Sequence, residues 1–290
     1  MTIIQLLYSI IIGIVQGVSE WLPISSKTQI IVSSHYLLNL TIQQGYTFGL
    51  FMEIGTLAAA IIYFRKDLAK LVHVLAGSKD KMKRKLFAYV LVVTVITGLI
   101  AAPLFLIVNY FIGSSEADTA GIAVGIPMLI LGLVLLGDAA LIRYSRKKLS
   151  EGITFRKLEN LTIKDYVLVG ITQGIAVLPG VSRSGITTSA MLLLGIEPDE
   201  AFRLSFTAGI FAAAGAFGLT LIASKTTITT SIAGIGVTGL IIAIIASTII
   251  SLFLIDFLIK VASKQKITYL TAALGVIAIA SGLTYLVLGL

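Results

Sequence analysis

Leu178-Pro-Gly-Val-Ser-Arg-Ser-Gly-Ile-Thr-Thr188 lies deep inside a hydrophobic sequence, yet it gathers an arginine, two serines, two threonines, two glycines and a proline. Arg183 at membrane depth is costly unless a partner or a water-filled cavity receives it, so its presence there marks a functional site. Pro179 and Gly180 break any helix arriving from Leu168, and Gly185 lets the chain turn again before the apolar run Met191–Ile196. Broken backbone at that depth is tolerated only where it is buried in protein or lines a cavity. Taken alone, the stretch would also suit a cytoplasmic loop with a solvated arginine. A second copy of it decides between the two.

That copy comes early in the chain. Gly13-Ile-Val-Gln-Gly-Val-Ser-Glu-Trp-Leu-Pro-Ile-Ser-Ser26 matches Gly170-Ile-Thr-Gln-Gly-Ile-Ala-Val-Leu-Pro-Gly-Val-Ser-Arg-Ser184 with one-residue shifts. The spans that follow also echo, Phe48-x-Leu50 and Ile54-Gly55 against Phe202-x-Leu204 and Ala208-Gly209. The halves, residues 1–142 and 165–290, each read as a short hairpin and three spans, joined by a basic loop in one membrane domain. An odd number of spans per half sets the halves inverted in the membrane, an architecture in which broken helices meet near the midplane.

Composition agrees. The chain has 290 residues, 57% apolar and only 12% charged, with a mean hydropathy of +1.01. Soluble domains carry about 25% charged residues. The net charge of +8 does not point to nucleic acid, because most of the 22 Lys and Arg fall in two loops with no aromatic platform between them. The absence of Cys excludes a disulfide framework and a thiolate nucleophile. The first apolar run lacks a basic leader and a cleavage site, so no cleaved signal peptide is expected.

Read in order, Ile3–Val18 is short for a span and ends in the polar cluster Ser25–Gln29. Tyr46–Phe64 is a span interrupted by Glu53, and Arg65–Lys85 is a loop with eight Lys and Arg. Leu86–Phe111 spans with a kink at Pro103, then the acidic connection Gly113–Thr119 leads to the span Ala120–Ile142. Arg143–Lys164 is the second basic loop, with seven Lys and Arg. Tyr166–Leu178 and Ile186–Ile196 are short arms, and Ala201–Ile222, Ile232–Leu258 and Thr268–Leu290 are spans. Positive charge places the loops at Arg65, Arg143 and Lys260 inside and the acidic loop at Glu116 outside. The expected fold is an all-α integral membrane protein of six transmembrane helices and two re-entrant hairpins. An eight-span arrangement shares the same sidedness; arm length and polar tips favour six.

The two polar tips would face each other. Arg183, Ser182, Ser184, Thr187, Thr188, Ser25 and Lys27, with backbone N–H groups at a helix start, form a phosphate site. Glu20 beside such a site must act as general base, metal ligand or partner of Arg183, or else cap the hairpin turn. Gln16 falls on the same helix face as Glu20, and Gln29 lies in the same cluster. Ser26 is a nucleophile if Glu20 reaches it and an N-cap serine otherwise. Glu53 needs a partner, Arg183 or Arg203. Asp138 and Asp256, near span ends, read as snorkelling or structural.

At these residues the chain resembles the undecaprenyl-diphosphate phosphatase family, also called the bacitracin-resistance protein family, over nearly its whole length. Gln16-Gly-Val-Ser-Glu20 looks like that family's Glu/Gln-x-x-x-Glu motif, followed by Trp21-Leu-Pro-Ile-Ser-Ser26. Pro179-Gly-Val-Ser-Arg-Ser-Gly-Ile-Thr187 fits its Pro-Gly-x-Ser-Arg-Ser-x-x-Thr motif without a mismatch, and Glu200-Ala-Phe-Arg-Leu-Ser-Phe206 looks like the segment after it.

The resemblance implies a phosphatase that converts undecaprenyl diphosphate, or another polyprenyl diphosphate, into the monophosphate and inorganic phosphate, recycling the lipid carrier of cell-wall and glycan synthesis. With it, Glu20, Ser26 and Arg183 are the candidate catalytic residues: Mg2+ or Ca2+ held partly by Glu20 offsets the charge, and Ser26, or a water activated by Glu20, attacks the terminal phosphorus. It further implies a site on the outer face of the cytoplasmic membrane, with the bilayer and the lipid as partners; the sequence leaves open whether the chain forms a homodimer. One departure matters. The family usually continues Thr-Gly-His after the two serines, where this chain has Lys27-Thr28-Gln29. Glutamine cannot transfer a proton at neutral pH, so Glu20 carries that role or the chain is a polyprenyl-phosphate flippase or other anion transporter on the same fold.

Overall fold

The computed structural model describes residues 2–22, 24–114, 118–149, 155–178, 180–223, 229, 232–262 and 267–288. They form eleven α-helices: α1 Ile3–Ser19, α2 Ser26–Leu38, α3 Ile42–Tyr63, α4 Arg65–Leu75, α5 Lys81–Ser114, α6 Asp118–Leu149, α7 Ile163–Ile175, α8 Arg183–Leu193, α9 Pro198–Ala223, α10 Gly236–Ala262 and α11 Ile267–Leu288. Among them five contain stretches long and apolar enough to cross a membrane, in α3, α5, α9, α10 and α11. The expected sixth span falls in α6, whose described apolar stretch Met128–Ala140 is shorter. Large apolar side chains such as Leu99, Ile222 and Phe253 face outward, as a lipid solvent requires. This is a multi-pass helical membrane protein.

Local sequence sets the helix ends. Thr2 and Gln5 close a capping box on α1, and Thr41 and Gln44 do the same on α3. Asn39, with φ 53°, stops α2, and Gly195, with φ +74°, stops α8. α5 runs through Pro103 without a break in the helix.

The packing of the short helices is reciprocal. α1 lies on α10, where a Cβ at Gly13 would sit 2.4 Å from the Ala243 carbonyl and one at Gly17 2.8 Å from that of Ser247. α7 lies on α5, where Gly170 and Gly174 would each place a Cβ 2.7 Å from the Cβ of Ile96 and Ile100. Each hairpin thus packs on a long helix of the opposite half, and α6 pairs with α11 through Gly132 and Gly275. Small residues permit such backbone approach where apolar surface alone gives no drive to associate. Gly13→Ala should therefore lower stability in detergent by about 1–3 kcal/mol, since a carbonyl cannot give way. Gly218→Ala, with open space around it, should be neutral or stabilising; thermal unfolding of the two variants checks this.

Three expectations need correction. The stretch 143–164 is not all loop: α6 runs on to Leu149 and α7 opens at Ile163. The basic stretch 65–85 is not a loop: its first half is α4 and its last residues open α5. Asp67 on α4 accepts two bonds from Arg203 of α9, at 2.9 and 2.6 Å, and one from Lys70 at 2.6 Å. Burial raises the Asp67 pKa, but these bonds outweigh it and hold the carboxyl below its ordinary value. Asp138 does not snorkel; it is 1% exposed. Asp256 is structural as expected, bonded by Lys260 at 2.5 Å and Tyr63 at 3.3 Å. The expected acidic connection at Glu116, the prolines at 23 and 179 and the lysines at 264 and 266 lie outside the described residues.

Candidate active site

Two broken helices build the site. In the first hairpin α1 ends at Ser19, the chain turns through Glu20, Trp21 and Leu22, and α2 opens at Ser26. Ser25 makes that turn with φ 56° and ψ 94°, a conformation costly for a residue with a Cβ and typical of functional sites. In the second hairpin Gly180, with φ +81°, turns the chain, and Ser182 caps α8 by accepting from Gly185 N at 3.2 Å. The tips are stitched together. Gly180 N donates to Thr28 Oγ1 at 3.1 Å, Ser182 Oγ to the Leu22 carbonyl at 3.3 Å and Ser184 Oγ to that of Glu20 at 3.2 Å.

At the seam sits one polar cluster. Glu20 Oε2 accepts from Ser26 Oγ at 2.6 Å and from Gln16 Nε2 at 3.1 Å, while Glu20 Oε1 accepts from Arg183 Nη2. Arg183 Nη1 donates to Glu53 Oε2 at 3.3 Å and to the Gly209 carbonyl at 3.2 Å. Buried Lys27 lies within electrostatic reach of Glu53 and Glu20. Both carboxylates pair through the Arg183 guanidinium, and Lys27 makes no ion pair with either among the described residues. Buried charges persist only when paired and hydrogen-bonded in this way.

Gln16, Glu20, Ser26, Lys27, Glu53 and Arg183 are thus brought together, and Glu53 chooses Arg183 rather than Arg203. The remaining candidates are placed otherwise. Ser182 and Ser184 hold the hairpins to each other, and Ser25 Oγ accepts from Thr28 Oγ1 at 3.1 Å. Thr187 donates to the Arg183 carbonyl at 2.7 Å and pairs with Ser205 of α9. Thr188 lines a separate small cavity, and Gln29 Nε2 turns back to the Ile24 carbonyl at 3.3 Å. Ser205 and Gly209 went unnoticed as site residues; the signal for Gly209 was its match to Gly55 in the repeat.

Arg183, Lys27 and Glu53 form the polar end of a cavity of about 250 Å³ whose walls come from α3, α5, α7 and α9. Small residues line it (Gly98, Ala101, Ala102, Ala212, Gly215 and Ala216) with Phe105, Phe211 and Leu219. Beside the cluster, Trp21, Phe64 and Phe202 pack edge-on around Phe206, with centroids 4.9, 6.5 and 5.7 Å from it. For a cation the donors are hard oxygens: Glu20 and Glu53, both on one guanidinium, and the Ser26 hydroxyl. Among the described residues no three His, Cys, Asp or Glu converge. The set fits Mg2+ or Ca2+ only as such ions bind beside phosphates, whose oxygens complete the shell.

Known proteins share this chain throughout. It is 48% identical to a protein of Sulfurisphaera tokodaii over 95% of this chain and 96% of that one. It is 44% identical to one of Saccharolobus solfataricus over 96% of both, and 36% identical to one of Pyrobaculum aerophilum over 94% of this chain and 96% of that one. Each of those proteins bears the name undecaprenyl-diphosphatase. Residues 9–280 match the family described as bacitracin resistance protein BacA, a range that holds both hairpin tips and every residue of the cluster, and the chain belongs to that family.

Proposed function

We propose that the chain is a membrane phosphatase that hydrolyses undecaprenyl diphosphate, or a closely related polyprenyl diphosphate, to the monophosphate and inorganic phosphate. One observation carries the reading: Ser26 Oγ donates to Glu20 Oε2 at 2.6 Å while Arg183 holds the other carboxylate oxygen. A hydroxyl bonded to a base that can take its proton, beside a fixed cation that reaches the polar end of the cavity, is what attack on phosphorus needs. A histidine is not required for this arrangement.

The prenyl chain lies along the cavity's small-residue walls, with its diphosphate against Lys27 and Arg183. As Ser26 Oγ attacks the terminal phosphorus in line, Glu20 takes the hydroxyl proton and the bond to the bridging oxygen breaks. Polyprenyl monophosphate leaves, and water then releases phosphate from the serine. Arg183 and Lys27 neutralise the equatorial oxygens, the largest contribution in phosphoryl transfer. A divalent cation held by Glu20 and Glu53 would supply further charge neutralisation to the phosphates.

The six-span topology with two re-entrant, inverted hairpins is supported by the reciprocal packing of α1 on α10 and α7 on α5. The cavity's α3 wall precedes Glu53, its α5 wall begins at Thr94 and its α9 wall at Phe211. Those are the helix halves remote from the basic residues of α4, so the cavity opens toward the outer face. The aromatic cluster and the Asp67–Arg203 pair lie on the inner side. The same reciprocity is the one feature that favours a flippase. Proteoliposomes with known orientation, given a short-chain prenyl diphosphate on one face, separate the two. Phosphate release only from the face opposite α4, abolished by chelating divalent cations, is expected; lipid transfer between leaflets without phosphate release would reverse the assignment.

A further inference from the structure

The first hairpin uses Gln16 to hold Glu20; the repeat mate of Gln16 has no such task. Gln173 takes its place in the second hairpin, where Val177 stands in the position of Glu20, so its amide has no carboxylate to serve. Gln173 is 2% exposed. Its Nε2 donates to Thr97 Oγ1 at 3.1 Å, and Thr97 Oγ1 donates to the Gly170 carbonyl at 3.3 Å. Gln173 Oε1 and the buried hydroxyl of Thr94, one turn before Thr97 on α5, have no hydrogen-bond partner among the described residues. All three side chains line the cavity of about 250 Å³ that Lys27 and Arg183 also line. Tyr46 donates to the Val177 carbonyl at 3.0 Å, which pins this part of the hairpin against the α3 face that carries Leu50 and Glu53.

The cavity is polar at one end only. On α5, Thr94 and Thr97 form the end nearer α4, and the small or apolar Gly98, Ala101, Ala102 and Phe105 follow. A prenyl tail suits the second group and leaves Gln173 and Thr94 unmet, whereas buried polar groups keep partners. Lys27 supplies charge beside them: it is 6% exposed and in no ion pair among the described residues, while the Arg183 guanidinium is shared between Glu20 and Glu53. We infer that Gln173, Thr94 and Lys27 seat the proximal phosphate of the lipid diphosphate, the one that stays esterified to the prenyl chain, with Thr97 fixing the Gln173 amide. That phosphate carries a single negative charge, which one ammonium matches. Its oxygens accept from the Thr94 hydroxyl and from Gln173 Nε2, once the amide flips and Thr97 turns to donate to Oε1. Lys27 then bridges the two phosphates, and the seat holds the leaving group while Ser26 attacks the terminal phosphorus. The inference rests on the phosphatase reading for its substrate.

Affinity is read without turnover, from the unfolding temperature of purified protein in detergent titrated with farnesyl monophosphate and, separately, with farnesol. Gln173→Leu and Thr94→Val should each weaken farnesyl monophosphate about tenfold, the loss of a hydrogen bond to a charged group, and leave farnesol unchanged. With farnesyl diphosphate both should raise KM by a like factor at unchanged kcat, because the proximal phosphate is held equally before and during attack. Thr94→Ser, which keeps the hydroxyl, should behave as the wild type. Thr94→Val breaks no bond of the unliganded protein, so its stability should equal or exceed that of the wild type, and it carries the comparison if Gln173→Leu does not fold. Unchanged affinity for farnesyl monophosphate in Thr94→Val, an equal loss for farnesol, a fall in kcat at unchanged KM, or no binding by the wild type would overturn the seat. The expected losses of affinity in a protein that releases no phosphate from the diphosphate would keep the seat and sink only the phosphatase reading.

Discussion

Glu20→Gln should lower the rate of phosphate release by about 10³-fold with the fold intact, the range typical of a lost general base. The amide oxygen can still accept from Arg183, and the new NH2 can donate to Ser26 Oγ and, once the Gln16 amide flips, to Gln16 Oε1, so the hairpin seam keeps its bonds. What disappears is a group able to take the proton of Ser26, now bonded at 2.6 Å. The substitution also removes one negative charge from a cluster of two carboxylates and two cations. Diphosphate should consequently bind as well as before or better, so the loss appears in kcat with KM unchanged or lowered. Ser26→Ala should cost a similar factor. The double variant should cost little more than either single one, because residues that act as a unit are not additive. Steady-state kinetics with a short-chain prenyl diphosphate reads all three. Additive losses would show that Ser26 and Glu20 act separately.

Arg183→Ala should do more harm, to stability as well as rate. Its guanidinium serves Glu20, Glu53 and the Gly209 carbonyl at once, joining α8 to α1, α3 and α9. Removal strands two buried carboxylates, a loss of about 3–5 kcal/mol where one partner of a buried pair is taken away. Adding Glu53→Gln should recover part of the unfolding temperature, since one stranded charge is gone. Activity should stay absent, because the phosphates still lack their fixed cation. Recovery of activity along with stability would show that Arg183 is structural only.

The polar cluster at the hairpin seam was legible in the sequence because local geometry and the repeat both constrain it. Gln16 and Glu20 share a face at four-residue spacing, and the second copy of the motif places Arg183 opposite them. Rotation of a helix about its axis is not so constrained. Thr187 and Thr188 are neighbours in an apolar helix, and only packing against α6, α9 and α11 turns one toward Ser205 and the other into the cavity behind α8. Ser182 and Ser184 looked like free donors because their acceptors, carbonyls of the first turn, are some 160 residues away in the chain. α4 was read as a loop because its charges signal sidedness, while the apolar positions Leu68 and Leu71, which pack on the core, are too few to suggest a span.

The most direct test of the central claim is phosphate release from undecaprenyl diphosphate by the purified wild-type protein in detergent, beside Glu20→Gln at equal thermal stability. The account predicts cation-dependent release by the wild type and almost none by the variant, with both binding the lipid. A folded wild-type protein that binds the lipid and releases no phosphate would contradict it.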